Sequence, residues 1–192
     1  MQGTFFSPFF GAQSQHAMSG GWLARRWYYT PRTHRAYSVR PVSPGDRRLL
    51  AEFALGLSRM ATEGELTAVQ GLSSMIFDRV FAAGSHDATA FVALENTAAG
   101  DRVVGVCAYS PAGKHDPANF CVAVADAFRD EQVGRTLLAT LVRHAKRAGV
   151  TRLFGETCWS NRAMQRLAAS LGFAIEPVAR DRKLRRVILA LK

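Results

Sequence analysis

The residues best suited to chemistry lie between Phe128 and Thr136, where the chain reads Phe-Arg-Asp-Glu-Gln-Val-Gly-Arg-Thr. An apolar run, Ala118 to Ala125, enters this charged loop, and an amphipathic stretch, Gly134 to Ala148, leaves it. A helix starting there presents N–H groups that lack a carbonyl partner, together with the positive end of its dipole, and both suit a phosphate. Arg129 and Arg135 flank the start, and Gly134 allows close approach to the backbone. An ordinary strand-to-helix turn capped by local charge has the same spacing, so spacing alone leaves both readings open. Cysteine chemistry is quiet: Cys107, Cys121 and Cys158 are widely spaced, with no C-x-x-C pair. That pattern predicts a reducing, cytoplasmic setting, no metal site and no disulfide framework.

The elements that must position the loop follow from periodicity. Tyr37 to Val42 alternates as a short strand, Ser43-Pro44-Gly45-Asp46 signals a helix start, and Leu49, Leu50, Phe53 and Leu57 repeat at helical spacing. A second helical stretch is expected over about 65–81. Thr89–Asn96 and Arg102–Tyr109 read as a hairpin, and Ala118–Ala125 as a strongly apolar strand. Gly134–Ala148 turns Leu137, Leu138, Leu141, Val142 and Ala145 inward. Thr151–Cys158 is a strand, Asn161–Leu171 a helix, and Phe173–Val178 and Arg186–Leu191 are final antiparallel strands. This order predicts an α/β (α+β) fold: a mixed, twisted sheet of about six to seven strands with helices on both faces.

Composition narrows the class. With 192 residues, 48% hydrophobic and 21% charged, the chain has the balance of one globular domain rather than a disordered chain or a fibre. No apolar run reaches the roughly 18 residues of a membrane-spanning helix. Twenty-five basic residues against fifteen acidic ones give a net charge of +10, which attracts polyanions of any kind. The charge is uneven, since the first acid is Asp46. Residues 1–36 read as a basic, poorly ordered extension, or alternatively as an Arg-rich leader, with the domain over 37–192. No nucleic-acid recognition motif accompanies the charge, so neither nucleic acid nor membrane is an expected partner.

From Tyr37 to Leu191 the chain resembles the GNAT superfamily of acetyl-CoA-dependent N-acetyltransferases. The carrying segments are the strand NFCVAVAD, the loop RDEQVGR, the helix TLLATLVRHAKRAGV, the strand RLFGETCW and the run SNRAMQRLAASLGF. The opening YSVRPVSPGD and the run GETCWSNRAMQRLAASLGF are most similar to the acetyltransferase domain of bacterial Pat-type protein lysine acetyltransferases. The resemblance implies a splay between the fourth and fifth strands that admits the pantetheine arm of acetyl-CoA, or of another acyl-CoA, as a partial strand. Cys121, Val122, Ala123 and Val124 would pair with the pantetheine. Arg129, Asp130, Gln132, Val133, Gly134, Arg135 and Thr136 would hold the pyrophosphate, and Asn161 would touch the cofactor. A backbone N–H of the fourth strand would stabilise the oxyanion while an amine, of a small molecule or a protein lysine, attacks directly. The protein would act as a monomer or homodimer.

Two departures from the family pattern bear on activity. The pyrophosphate motif, Q/R-x-x-G-x-G/A, reads here Arg129-Asp130-Glu131-Gln132-Val133-Gly134, so Gln132 stands where the central glycine belongs. Asn119 stands where Pat-type enzymes carry a glutamate base, and asparagine cannot accept a proton at neutral pH. Ala168 occupies the place of the family's frequent tyrosine acid. Glu156, matching the family's G-E pair, is the candidate replacement base, with a structural carboxylate paired to Arg162 or a backbone donor as the competing reading. His115-Asp116 is a further loop candidate. Two functions stay open: an active N-acetyltransferase, and a degenerate, non-catalytic domain that binds acyl-CoA as a regulatory or interaction module.

Overall fold

A computed structural model describes residues 26–60, 77–78, 81, 88–111 and 116–191. Eight strands form one sheet in the order β1-β2-β3-β4-β5-β6-β8-β7. They are β1 (Arg26–Tyr29), β2 (Ala36–Pro41), β3 (Thr89–Thr97), β4 (Gly100–Pro111), β5 (Ala118–Val124), β6 (Arg152–Cys158), β7 (Ala174–Val178) and β8 (Asp181–Ala190). Three α-helices are seen among the described residues: α1 (Arg47–Met60), α2 (Val133–Arg147) and α3 (Arg162–Ala169). Every neighbouring strand pair is antiparallel except β5–β6, which is parallel.

The inward positions of α2 are those its periodicity dictates. Leu137, Leu138, Leu141 and Ala145 are fully buried against Phe91, Ala93, Val104, Cys107 and Phe120 on one face of the sheet. Leu50 and Phe53 of α1 cover Ala90, Val92, Leu94, Val103, Val106 and Ala108 on the other. Helices therefore flank the sheet on both sides, as expected.

The start of α1 is fixed by Asp46. Its Oδ2 accepts from the Ser43 N–H (2.7 Å) and hydroxyl (3.0 Å), and its two oxygens take the Arg40 guanidinium at 2.6 Å each. Burial pushes this carboxyl up, but the Arg40 fork and the Ser43 donors outweigh it and hold the group below its ordinary value.

The structure differs from expectation at both ends of the sheet. The sheet starts before residue 37: β1 pairs in register with β2 from Arg26↔Val39 to Tyr29↔Ala36, and Tyr28 stacks on Tyr37 with ring centroids 5.5 Å apart. This strand brings the total to eight rather than six or seven. The last strand starts at Asp181 rather than Arg186, because Lys183, Leu184 and Arg185 are already paired, with neighbours on one side or both. The helix expected over 65–81 lies outside the described residues, save 77, 78 and 81. None of the described helices is long and apolar enough to cross a membrane.

Candidate functional site

The parallel pair β5–β6 is joined at only two places, Ala118↔Leu153 and Asn119↔Phe154. Beyond them the two strands continue, to Val124 and to Cys158, without a ladder between them. Gly155 lies next to the last joined pair. A Cβ there would fall 3.0 Å from the Phe120 carbonyl oxygen and 3.2 Å from its ring, so only glycine lets the strands close at that level. Past it the edge of β5 over Cys121, Val122, Ala123 and Val124 faces the opening, while its other edge pairs with β4 at Ala108, Cys107, Val106 and Gly105. Burial pushes the Cys121 thiol up to about 12, so it supplies no thiolate near neutral pH.

The loop at the end of β5 has a backbone of alternating hand. After a 3-10 turn at Asp126–Phe128, Asp130 and Gln132 both take φ of +61°, the left-handed region that glycine enters freely. Side chains alternate accordingly: Phe128, Glu131 and Val133 are buried, and Arg129, Asp130 and Gln132 are exposed. Glu131 accepts the Arg32 N–H at 3.0 Å, which ties the loop to the β1–β2 turn. The Thr136 N–H donates to the Gln132 carbonyl (2.9 Å) as the first bond of α2, and the N–H groups of Val133, Gly134 and Arg135 precede any helical acceptor. Alternating-hand backbone leading into a helix start forms a concave set of N–H donors suited to an anion. Gln132 thus holds a backbone conformation that glycine enters freely, at a cost of about 1 kcal/mol.

Side chains around the loop are committed within the protein. The Arg129 Nε sits 2.5 Å from Asp126 Oδ1, and Arg135 donates to the Ser170 hydroxyl at 2.6 Å, at the end of α3. Thr136 Oγ1 shares a 2.9 Å hydrogen bond with the Tyr37 hydroxyl. Asn161 caps α3, its Oδ1 accepting the Met164 N–H at 3.0 Å, which leaves its amide Nδ2 as the donor for a ligand. Gly134 acts differently from expectation. A Cβ there would lie 3.2 Å from Leu167 and 3.4 Å from Val124, so the glycine lets α2, α3 and β5 converge rather than only exposing backbone to a ligand.

Strand alternation sets Asn119, Cys121 and Ala123 of β5, and Phe154, Glu156 and Cys158 of β6, on the face opposite Ala118, Phe120 and Leu153. Asn119 and Glu156 therefore share one face across the opening. Glu156 does not pair with Arg162. Its Oε1 accepts from Arg186 (3.0 Å) and Arg180 (3.2 Å), whereas Arg162 lies over the Trp159 ring at 5.6 Å. His115 lies outside the described residues. The commitments of Glu131 and Arg135 went unread in the sequence, because both partners are remote in the chain. Among the described residues no group of three or more His, Cys, Asp or Glu is placed to hold a metal.

Residues 60–173 match the family model of the acetyltransferase (GNAT) family. The structure is similar to the GNAT domain of S. lividans PAT, with a TM-score of 0.64 and 17% identity over 87% of this chain and 97% of that one. It is also similar to yncA of Salmonella typhimurium, solved with its cofactor acetyl-CoA, at a TM-score of 0.59 and 20% identity over 81% of this chain and 94% of that one. A cAMP-binding acyltransferase from Mycobacterium smegmatis gives a TM-score of 0.59 and 19% identity, over 88% of this chain but 48% of that one. These likenesses are ones of fold. No curated protein sequence matches the chain.

Proposed function

The chain belongs to the acetyltransferase (GNAT) family, and from that premise we propose that it transfers an acyl group from acetyl-CoA, or a related acyl-CoA, to an amine, with protein lysine as the acceptor class to test first. The observation that carries this reading is the two-pair contact between β5 and β6 and the unladdered opening beyond it. In this reading the β5 edge over Cys121–Val124 pairs with the pantetheine, and the N–H groups at the start of α2 receive the pyrophosphate. The thioester of the acyl-CoA supplies the activated acyl group. Asn119 lies at the closed end of the opening, where its Oδ1 orients the incoming amine. The proton of the attacking amine leaves through water, because Asn119 accepts none and Glu156 is engaged by two guanidinium groups.

A second reading is favoured by Gln132, whose exposed side chain stands at the motif glycine: a domain that holds acyl-CoA without turning it over. Thiol release from acetyl-CoA, assayed with mixed amines and a set of lysine-bearing peptides, separates the two. Turnover supports the enzyme; saturable binding without release supports the second reading, and absence of binding at millimolar acetyl-CoA removes both. In the active enzyme Glu156→Gln leaves the rate within about tenfold. A loss of about 100-fold or more with an altered pH profile would make Glu156 the base.

A further inference from the structure

A pocket of about 100 Å³ lies on the flank of α2 away from α3, between that helix and strands β1, β2 and β3. Four arginines are among its lining residues: Arg26 from β1, Arg143 and Arg147 from the C-terminal half of α2, and Arg40 from β2, whose guanidinium turns away to Asp46. Thr140 and His144 complete the helix side, and Val39, Pro41 and Phe91 give it an apolar floor. No carboxylate is among its described lining residues. Arg143 donates to Thr140 Oγ1 at 3.3 Å, and Arg26, Arg143 and Arg147 bring three positive charges to one small concavity.

The two flanks of α2 are distinct. Arg135 reaches Ser170 of α3 on one side, while Thr136 meets Tyr37 of β2 on the other, in line with Thr140, Arg143 and Arg147 at helical spacing. The pocket therefore stands apart from the β5–β6 opening.

We propose that this pocket binds a small organic phosphate ester, its phosphate held by Arg26, Arg143 and Arg147 and its carbon skeleton resting on Val39, Pro41 and Phe91. Guanidinium forks match phosphate oxygens in pairs, and the apolar floor distinguishes an ester from the free ion. The site does not depend on the acyl-transfer reading.

The test is calorimetric titration of the full chain with phenyl phosphate, inorganic phosphate and phenol. Phenyl phosphate binds, inorganic phosphate binds more weakly and phenol not at all. The double variant Arg143→Gln/Arg147→Gln keeps its melting temperature and loses about tenfold or more in phenyl phosphate affinity. Saturating acetyl-CoA leaves that affinity unchanged. No heat at millimolar phenyl phosphate, unchanged affinity in the double variant, or displacement by acetyl-CoA overturns the proposal. Inorganic phosphate binding as tightly as the ester overturns the ester assignment.

Discussion

The two ends of helix α2 offer an anion two different kinds of site. At the N-terminal end the donors are backbone N–H groups, shaped by left-handed Asp130 and Gln132, while Arg129 and Arg135 are engaged by Asp126 and Ser170. In the C-terminal half the donors are side chains, and arginines of β1 and α2 line one pocket. Charge in the sequence near a loop is thus a poor guide to which groups that loop leaves available to an anion. In the proposed readings, backbone shape would carry recognition at one end and guanidinium groups at the other.

Variants that disturb one end and spare the other can break this contrast. The largest effect is expected from Asp46→Ala, which removes the Arg40 fork and the Ser43 bonds of the turn that leads into α1 together and destabilises the fold by about 2–3 kcal/mol. The Arg40 guanidinium lies on the α1 side of the sheet, so the folded variant binds phenyl phosphate and acetyl-CoA as before; a change in either affinity would break the contrast. In the wild type the same pair contributes stability above the ordinary Asp value of 3.8. That contribution is lost as pH falls through the lower folded value, because the unfolded chain takes up the proton first.

Gly134→Val presses on Leu167 and Val124, costs about 1–3 kcal/mol and displaces the start of α2. Acetyl-CoA affinity drops while phenyl phosphate affinity holds, and an equal drop in both would show that the two ends are not independent. Gln132→Gly restores the motif residue without changing the backbone, and thermal unfolding should show a gain of up to about 1 kcal/mol. A loss of stability would mean that the glutamine is not strained.

The smallest effect is at His144, which shares a 2.8 Å hydrogen bond with the Tyr109 hydroxyl. Burial lowers its pKa from the ordinary 6.5, and nearby Arg147 lowers it further. Because the unfolded histidine protonates first, stability falls as pH drops below about 6.5 and levels off below the folded value. Melting temperatures between pH 5 and pH 7 should show this component in the wild type and not in His144→Asn.

Much of the fold was legible because α2 and strands β3 to β6 carry unambiguous apolar patterns. β1 was not: Arg26–Tyr29 is short, mostly exposed and set in a basic stretch without alternation. The opening between β5 and β6 came from family resemblance, since no local pattern encodes where a parallel pair stops pairing. Gln132 departed from the family motif in the sequence, whereas its left-handed backbone was visible only in the structure. The pocket went unread because Arg26 of β1 and Arg143 and Arg147 of α2 are brought together only by the tertiary fold. A signal did exist, in the helical spacing of Thr140, Arg143, His144 and Arg147 along one face of α2.

The most direct test of the backbone cradle is a calorimetric titration of acetyl-CoA into the wild type and into Arg129→Ala/Arg135→Ala. The account predicts saturable binding by both, with the double variant weaker by no more than about threefold, the scale of exposed charge contacts. Absence of binding by the wild type, or a loss of tenfold or more in the variant, would contradict it.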